Sequence, residues 1–397
     1  MPDAGTLRNA MVDRLSAAGE ITHEWEPAMR AVPRHAFIPD LTWHYNSSAP
    51  GIHGFIPLRR AHDPGRWMEL AYADDAVTTQ VDDGTPDGPD GRGLRASSSV
   101  SMPILVSRML TALQAELGHR VLEIGAGTGY HAALLAYRLG ARNVSTIEVD
   151  PAVAEHARAA LHATGYGEVR VITGDGERGY APLAPYDRLV STAGVRRFPY
   201  QWVRQTRPGG RFITPWAHPY LPVLVELTVT VDGTAIGSVA DPGMDFMLVR
   251  GQRMPGVSVA QILAGDDPDT AAATETDLHP YYVTGDWDAA FAIGQRVANC
   301  TQRYWAPDEE DEHATQWLLD PATGSWARVR HDPDHADGSY EVRQGGSRKL
   351  WDEVEAAFHW WDGQGRPKAR DWRIEVRADR QLVTLPAPHE PVTRSVC

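Results

Sequence analysis

At 397 residues the chain exceeds one ordinary domain, so its length predicts two, each large enough for its own core. Charged residues make up 23% and hydrophobic residues 42%, a globular composition with no apolar run long enough for a membrane span; with no basic-then-apolar start at Met1-Pro-Asp-Ala-Gly-Thr6, the expectation is a cytoplasmic protein. A formal charge of −14 argues against a general nucleic-acid or anionic-membrane binder, and Cys300 and Cys397 are too few for a disulfide framework or a cysteine-ligated metal site.

Apolar spacing through Leu7, Met11 and Leu15, then Trp25, Met29 and Val32, predicts helices within residues 1–40. They end at Val32-Pro-Arg-His-Ala-Phe-Ile-Pro39, as either a helical cap or a lid. Residues 82–95 are rich in Asp, Gly and Pro and predict a flexible, solvated loop; their carboxylate spacing does not match a calcium-binding loop. Ser97-Ser-Ser-Val-Ser-Met-Pro103 precedes a helix predicted over 104–117, and a serine cluster there reads as a helix N-cap.

From 120 to about 230, strands and helices alternate. Strands are predicted over 120–124, 144–148, 169–173, 187–192, 210–215 and 222–231, with helices over 131–139 and 151–164, the latter opened by Pro151. This alternation predicts a doubly wound, Rossmann-like parallel sheet of α/β class. The domain division expected is an N-terminal helical cap and loop (1–95), a ligand-binding α/β domain (96–232) and a C-terminal α+β extension (233–397).

In the extension, 264–276 reads as a linker or loop, Trp317-Leu-Leu-Asp320 and Ser325-Trp-Ala-Arg-Val-Arg330 as a hairpin, 350–361 as a helix, and 372–385 as a closing strand pair. Seven of the 13 tryptophans follow residue 300. Trp351, Phe358 and Trp361 share one helix face and read as core, which leaves Trp360 as the exposed contact. Arg343, Arg348 and Lys349 form a basic cluster, either a contact for an acidic peptide or a solvated patch.

The segment with most chemical content is Val121-Leu-Glu-Ile-Gly-Ala-Gly-Thr-Gly-Tyr130. A strand, a glycine turn and a helix start together form a nucleotide-shaped cradle. Its candidate ligand contacts are Glu123, Gly125, Ala126, Gly127, Thr128 and Gly129. The spacing is not the G-x-G-x-x-G of a dinucleotide site, and an acidic residue enters the loop. A carboxylate repels phosphate and suits a cation, so the cofactor predicted is S-adenosylmethionine, with its ammonium and sulfonium, and the reaction methyl transfer. In an open α/β sheet the ligand lies beyond the carboxyl ends of the strands. Glu148, followed by Val149, is then placed to accept the ribose hydroxyls, and Asp175, within Gly174-Asp-Gly176, to accept the adenine amino group.

These loops resemble the protein-L-isoaspartate O-methyltransferase family over residues 20–225. The resemblance is carried by Val32-Pro-Arg-His-Ala-Phe-Ile-Pro39, Ser99-Val-Ser-Met-Pro103, the glycine loop, Gly174-Asp-Gly176, Pro185-Tyr-Asp187 and Arg207-Pro-Gly-Gly-Arg-Phe-Ile-Thr-Pro215. It implies that Ser101 is the active-site serine beside the carboxylate being methylated, with Ser99 where the family usually has threonine. A carboxylate has a pKa of about 4 and is already nucleophilic at neutral pH, so no catalytic acid–base pair is required. No metal ligand set is predicted.

The family's repair enzymes end soon after the sheet, whereas here residues 233–397 follow. The tract from Gln344 to Pro367, and Tyr72-Ala-Asp-Asp-Ala-Val-Thr-Thr-Gln80, resemble actinobacterial homologues that tailor ribosomally synthesised peptides, including lanthipeptide FxLD-system, graspetide and lasso-peptide enzymes. By that resemblance the partner is a modified precursor or core peptide. An ordinary aspartate in it is esterified, and attack by the next backbone nitrogen gives an aspartimide that persists or hydrolyses to isoaspartate. General isoaspartate repair is the alternative, and a non-catalytic peptide-docking module is a third reading.

Overall fold

The computed structural model describes residues 3–49, 52–254, 256–307, 312–332, 338–386 and 392–396, so Cys397 lies outside the described residues. The chain divides into two compact units. The first comprises Met1–Pro215, Glu226–Ala235 and Phe246–Gly251; the second comprises Trp216–Val225, Ile236–Asp245 and Gln252–Cys397. No helix among the described residues is long and apolar enough to cross a membrane.

The first unit opens with α1 (Ala4–Ala17), capped by the Asp3 carboxylate, and α2 (Glu26–Ala31). Then come β1 (Leu41–Ala49), β2 (Ile52–Arg59), α3 (Pro64–Tyr72), β3 (Val77–Val81) and β4 (Ala96–Val100). The four strands form an antiparallel sheet in the order β2-β1-β3-β4. Helices and a loop alone do not describe residues 1–95: three of these strands lie there. The loop expected over 82–95 is folded on one side chain. The Asp82 carboxylate accepts the amides of Leu94 (2.8 Å) and Arg95 (2.9 Å), which draws the two ends together.

After α4 (Pro103–Leu113) come β5 (Val121–Ile124), α5 (Tyr130–Leu139), β6 (Val144–Glu148), α6 (Pro151–Ala163), β7 (Arg170–Thr173), β8 (Tyr186–Ser191), α7 (Tyr200–Gln205), β9 (Thr206–Trp216) and β10 (Val223–Val229). Their order is β7-β6-β5-β8-β9-β10, and the pairs β5–β6, β5–β8, β6–β7 and β8–β9 are parallel. This is the doubly wound α/β sheet the alternation predicted. Every residue of β5 is buried, as befits a central parallel strand covered on both faces. The chain leaves β5 and returns on both sides of it through β6 and β8, which makes the carboxyl end of β5 the switch point.

The second unit contains β11 (Ala235–Pro242), α8 (Val259–Leu263), β12 (Ala273–Thr276), α9 (Pro280–Thr284), α10 (Trp287–Arg296), β13 (Thr301–Trp305), β14 (Ala314–Asp320), β15 (Ser325–His331), β16 (Tyr340–Gly345), α11 (Leu350–Gly363), β17 (Arg373–Val376), β18 (Gln381–Leu385) and β19 (Val392–Ser395). An antiparallel sheet runs β12-β16-β15-β14-β13, and β11, β17, β18 and β19 are successive neighbours. The hairpin β14–β15 and the strand pair β17–β18 stand where the sequence pattern placed them. Residues 264–276 are not simply a linker, because β12 pairs along β16.

The tryptophans of this unit are mostly structural. Trp317 and Trp326 pack with Leu319, Val259 and Ile262, and α11 buries Trp351, Phe358 and Trp361 on one face. Trp360 is half-buried beneath the Arg296 guanidinium, 4.3 Å from its ring centroid, so it is not the open contact expected. The basic cluster is also largely committed. Arg348 pairs with Asp320 (2.8 Å) and Glu353, which hold its pKa above the usual arginine range, and Arg343 pairs with Glu341 (2.7 Å).

Candidate active site

The glycine loop between β5 and α5 takes the conformation its composition allows. Gly125, Gly127 and Gly129 have φ of +88°, +50° and +94°, a region L-residues seldom adopt. At Gly125 a Cβ would also lie 2.8 Å from the Thr192 hydroxyl oxygen. The amides of Gly125 and Ala126 both donate to the Ile147 carbonyl at 2.9 Å, which ties the loop to the end of β6. Ala126 and Thr128 are buried within it.

Glu123 does not face a ligand. It is fully buried, with one carboxylate oxygen 2.6 Å from His131 Nδ1 and the other accepting from Thr146 Oγ1. The acidic residue thus fixes the start of the loop from inside. Repulsion of a phosphate is not a role its position supports.

Glu148 is the carboxylate that reaches the loop. Its Oε2 accepts from the Gly127 amide at 2.9 Å and its Oε1 from the Asp150 amide at 3.1 Å. Burial pushes its pKa above the ordinary glutamate value, against the pull of these two amides and of nearby Arg250. Val149 beside it is 40% exposed, an apolar surface at a strand end. Asp150 caps α6 through the amides of Ala152 and Val153.

The loop after β7 completes this side. The Gly174 amide donates to the Glu148 carbonyl at 2.8 Å. Asp175 is exposed; its Oδ1 accepts from the Glu177 amide, and its Oδ2 lies 3.4 Å from Arg178 Nε. A Cβ on Gly176 would fall 2.4 Å from Ile124 Cγ2, so only glycine lets this turn close over the end of β5. An acidic acceptor, an apolar flank and glycine backbone around one strand end fit the nucleoside part of S-adenosylmethionine.

The end of β4 also meets the glycine loop. The Ser99 carbonyl lies 3.4 Å from the place a Gly127 Cβ would occupy, so the end of β4 runs beside the glycine loop. Ser99 and Ser101 are both partly exposed there. The serine cluster is not the N-cap of α4: Met102 occupies that position without a side-chain bond, and the Asp74 carboxylate accepts from the Ile104 amide at 3.0 Å. The Ser101 hydroxyl takes no protein partner among the described residues.

Arg34, in the Val-Pro-Arg segment, has a role that the sequence did not disclose. It is fully buried and donates to the carbonyls of Ala71 (2.5 Å), Asp75 (2.9 Å), Val100 (3.3 Å) and Ser101 (3.1 Å). Burial lowers its pKa from the arginine range. With the Leu70 carbonyl (3.4 Å), the guanidinium thus gathers five backbone carbonyls and sets the path on which Ser101 stands. A further arginine, Arg250, lies beyond the boundary drawn at 232 yet belongs to the first unit.

Residues 59–240 match the family model for protein-L-isoaspartate(D-aspartate) O-methyltransferase. The chain is 34% identical to the protein-L-isoaspartate O-methyltransferase of Methanopyrus kandleri, over 57% of this chain and 84% of that one. It is 39% identical to protein-L-isoaspartate O-methyltransferase 1 of Rhodopseudomonas palustris, over 54% and 71%. The chain belongs to the protein-L-isoaspartate O-methyltransferase family. It is a carboxylate O-methyltransferase whose methyl donor is S-adenosylmethionine. A solved structure of a protein-L-isoaspartate O-methyltransferase shares its fold at 19% identity and a TM-score of 0.50, over 94% of this chain and 97% of that one.

Proposed function

We propose that this chain esterifies the carboxylate of L-isoaspartyl residues in polypeptides. The observation that supports this reading is the approach of the Ser99 carbonyl, two residues before Ser101, to the glycine loop. The substrate class is supported by the relatives, which share the protein-L-isoaspartate O-methyltransferase name.

S-adenosylmethionine, when bound, supplies an electrophilic methyl group. Glu148 and the loops around it hold the nucleoside part. The Ser101 hydroxyl donates to one oxygen of the acceptor carboxylate and leaves the other free to react. Arg34 keeps that serine in place, so the chain's contribution is proximity and orientation rather than proton transfer. The methyl ester is a better electrophile than the free carboxylate because methanol can leave from it. Closure by the next backbone nitrogen releases methanol and gives a succinimide, which reopens in part to aspartate.

A second reading is that the acceptor is an ordinary aspartate in a constrained, ribosomally made peptide. It draws support from the second compact unit, with exposed Tyr281, Tyr282, Trp287, Tyr304 and Trp305. The general reading comes first because it needs only the family core.

Incubation with donor labelled in its methyl group and a short isoaspartyl peptide tests the ester chemistry. Label released as methanol in mild alkali supports it, and alkali-stable label overturns it.

A further inference from the structure

The segment Phe246–Gly251 returns to the first unit and touches three of its strand-end loops. Its backbone pairs with the loop after β8, the Gly194 amide donating to the Met247 carbonyl (2.8 Å) and the Val249 amide to the Gly194 carbonyl (2.9 Å). Gly251 is pressed against the turn after β7, where a Cβ would fall 2.2 Å from Glu177 Oε1. Between these contacts Arg250 points at the turn after β6, its Nη2 2.8 Å from Asp150 Oδ2 and its Nε 3.3 Å from Asp83 Oδ1.

Asp150 is buried and its own amide donates to Glu148, whose carboxylate accepts from Gly127. Gln80 reaches the same Asp150 oxygen at 3.1 Å and accepts from the Ser97 hydroxyl at 2.8 Å. Ser97 in turn accepts from the Asp83 amide. Burial raises the Asp150 pKa, but the bonds from Arg250 and Gln80, with the two capping amides, bring it below the usual aspartate value. Asp150 therefore stays charged, and Arg250 stays paired to it.

We propose that Arg250 is a positioning residue for the methyl donor: by bridging Asp150 and Asp83 it fixes the turn that presents Glu148 and locks that turn to the β3–β4 strands of the acceptor side. This rests on the reading of Glu148 as a donor contact. A pair between charged groups with little solvent access contributes more than an exposed one, and its loss releases both partners.

The test is calorimetric binding of S-adenosylhomocysteine to the full chain, with thermal melting and steady-state kinetics, for wild type, Arg250→Ala and Arg250→Lys. Arg250→Ala weakens binding about tenfold. It raises KM for the donor while kcat at saturation stays within about twofold, whereas a merely structural lesion lowers the active fraction, and so kcat, at unchanged KM. Arg250→Lys, whose single ammonium cannot span both carboxylates, shows an intermediate loss. It also keeps the test decisive if the alanine variant does not fold. Wild-type affinity in Arg250→Lys together with wild-type affinity or no fold in Arg250→Ala overturns the proposal. A wild-type chain that binds no S-adenosylhomocysteine removes the donor reading itself.

Discussion

The Glu148 carboxylate accepts the Gly127 amide at 2.9 Å, so the acidic end of β6 and the centre of the glycine loop are one hydrogen-bonded piece. Each Glu148 oxygen is oriented by one backbone amide and keeps a lone pair for a further donor. The residue is thus fixed before a ligand arrives, which reduces the ordering cost of binding.

Burial raises the Glu148 pKa, so its carboxylate takes up a proton at a higher pH than an ordinary glutamate. S-adenosylhomocysteine affinity should fall on acidification before the usual glutamate range is reached, and Glu148→Gln should flatten that decline while weakening binding at neutral pH. The stability sign is opposite. Burial penalises the charged form, so the penalty is present above the raised pKa and absent once both folded and unfolded states are protonated. The melting temperature of ligand-free wild type relative to Glu148→Gln should therefore rise as pH falls through the raised pKa, as calorimetric scans would record.

Under the proposed function, Ser101→Ala removes the hydroxyl assigned to the acceptor carboxylate and leaves the assigned donor contacts in place. Peptide kcat/KM should drop by about tenfold to a hundredfold, the worth of one hydrogen bond to a charged group. S-adenosylhomocysteine affinity should stay within about twofold. Parallel loss of donor binding would make Ser101 a structural residue.

Arg34→Met leaves the carbonyls of Ala71, Asp75, Val100 and Ser101 without their buried donor. A loss of about 3 kcal/mol in denaturant unfolding is expected for the first unit. Arg34→Lys should recover little, since one ammonium cannot match the planar fork. Full stability in Arg34→Met would show that these carbonyls find other partners.

Gly176→Ala places a methyl group 2.4 Å from Ile124 Cγ2, at the end of β5. The turn carrying Asp175 must then shift, at a cost of about 1–3 kcal/mol. Donor affinity should fall with it, measured by calorimetry, whereas a surface substitution such as Arg142→Ala, which loses only an exposed pair with Glu168, should leave affinity unchanged.

Much of the parallel sheet was legible because its signals are local: apolar runs, glycine turns, and Pro151 opening α6. The three-glycine loop and Glu148 were found in this way. What escaped is non-local. The strands β1 and β2 lack a clean alternation, with Tyr45 60% exposed, and the sheet they join is defined only by pairing with β3 and β4. The inward role of Glu123 is not legible locally because its partners, His131 and Thr146, lie on two other elements. Arg34 stood within a recognised segment, yet its carbonyl partners come from residues 71–101. Arg250 carried no signal at all; only the fold returns it to Asp150.

The central claim concerns the acceptor, and a single competition decides it. A linear peptide with one L-isoaspartyl residue, its aspartyl counterpart, and the aspartyl sequence held in a macrocycle are offered to the enzyme with S-adenosylmethionine, and kcat/KM for methyl ester formation is read by mass spectrometry. The account predicts that the isoaspartyl peptide is esterified and both aspartyl peptides are not. Turnover of the macrocyclic aspartyl peptide, with the isoaspartyl peptide left unmodified, would contradict it.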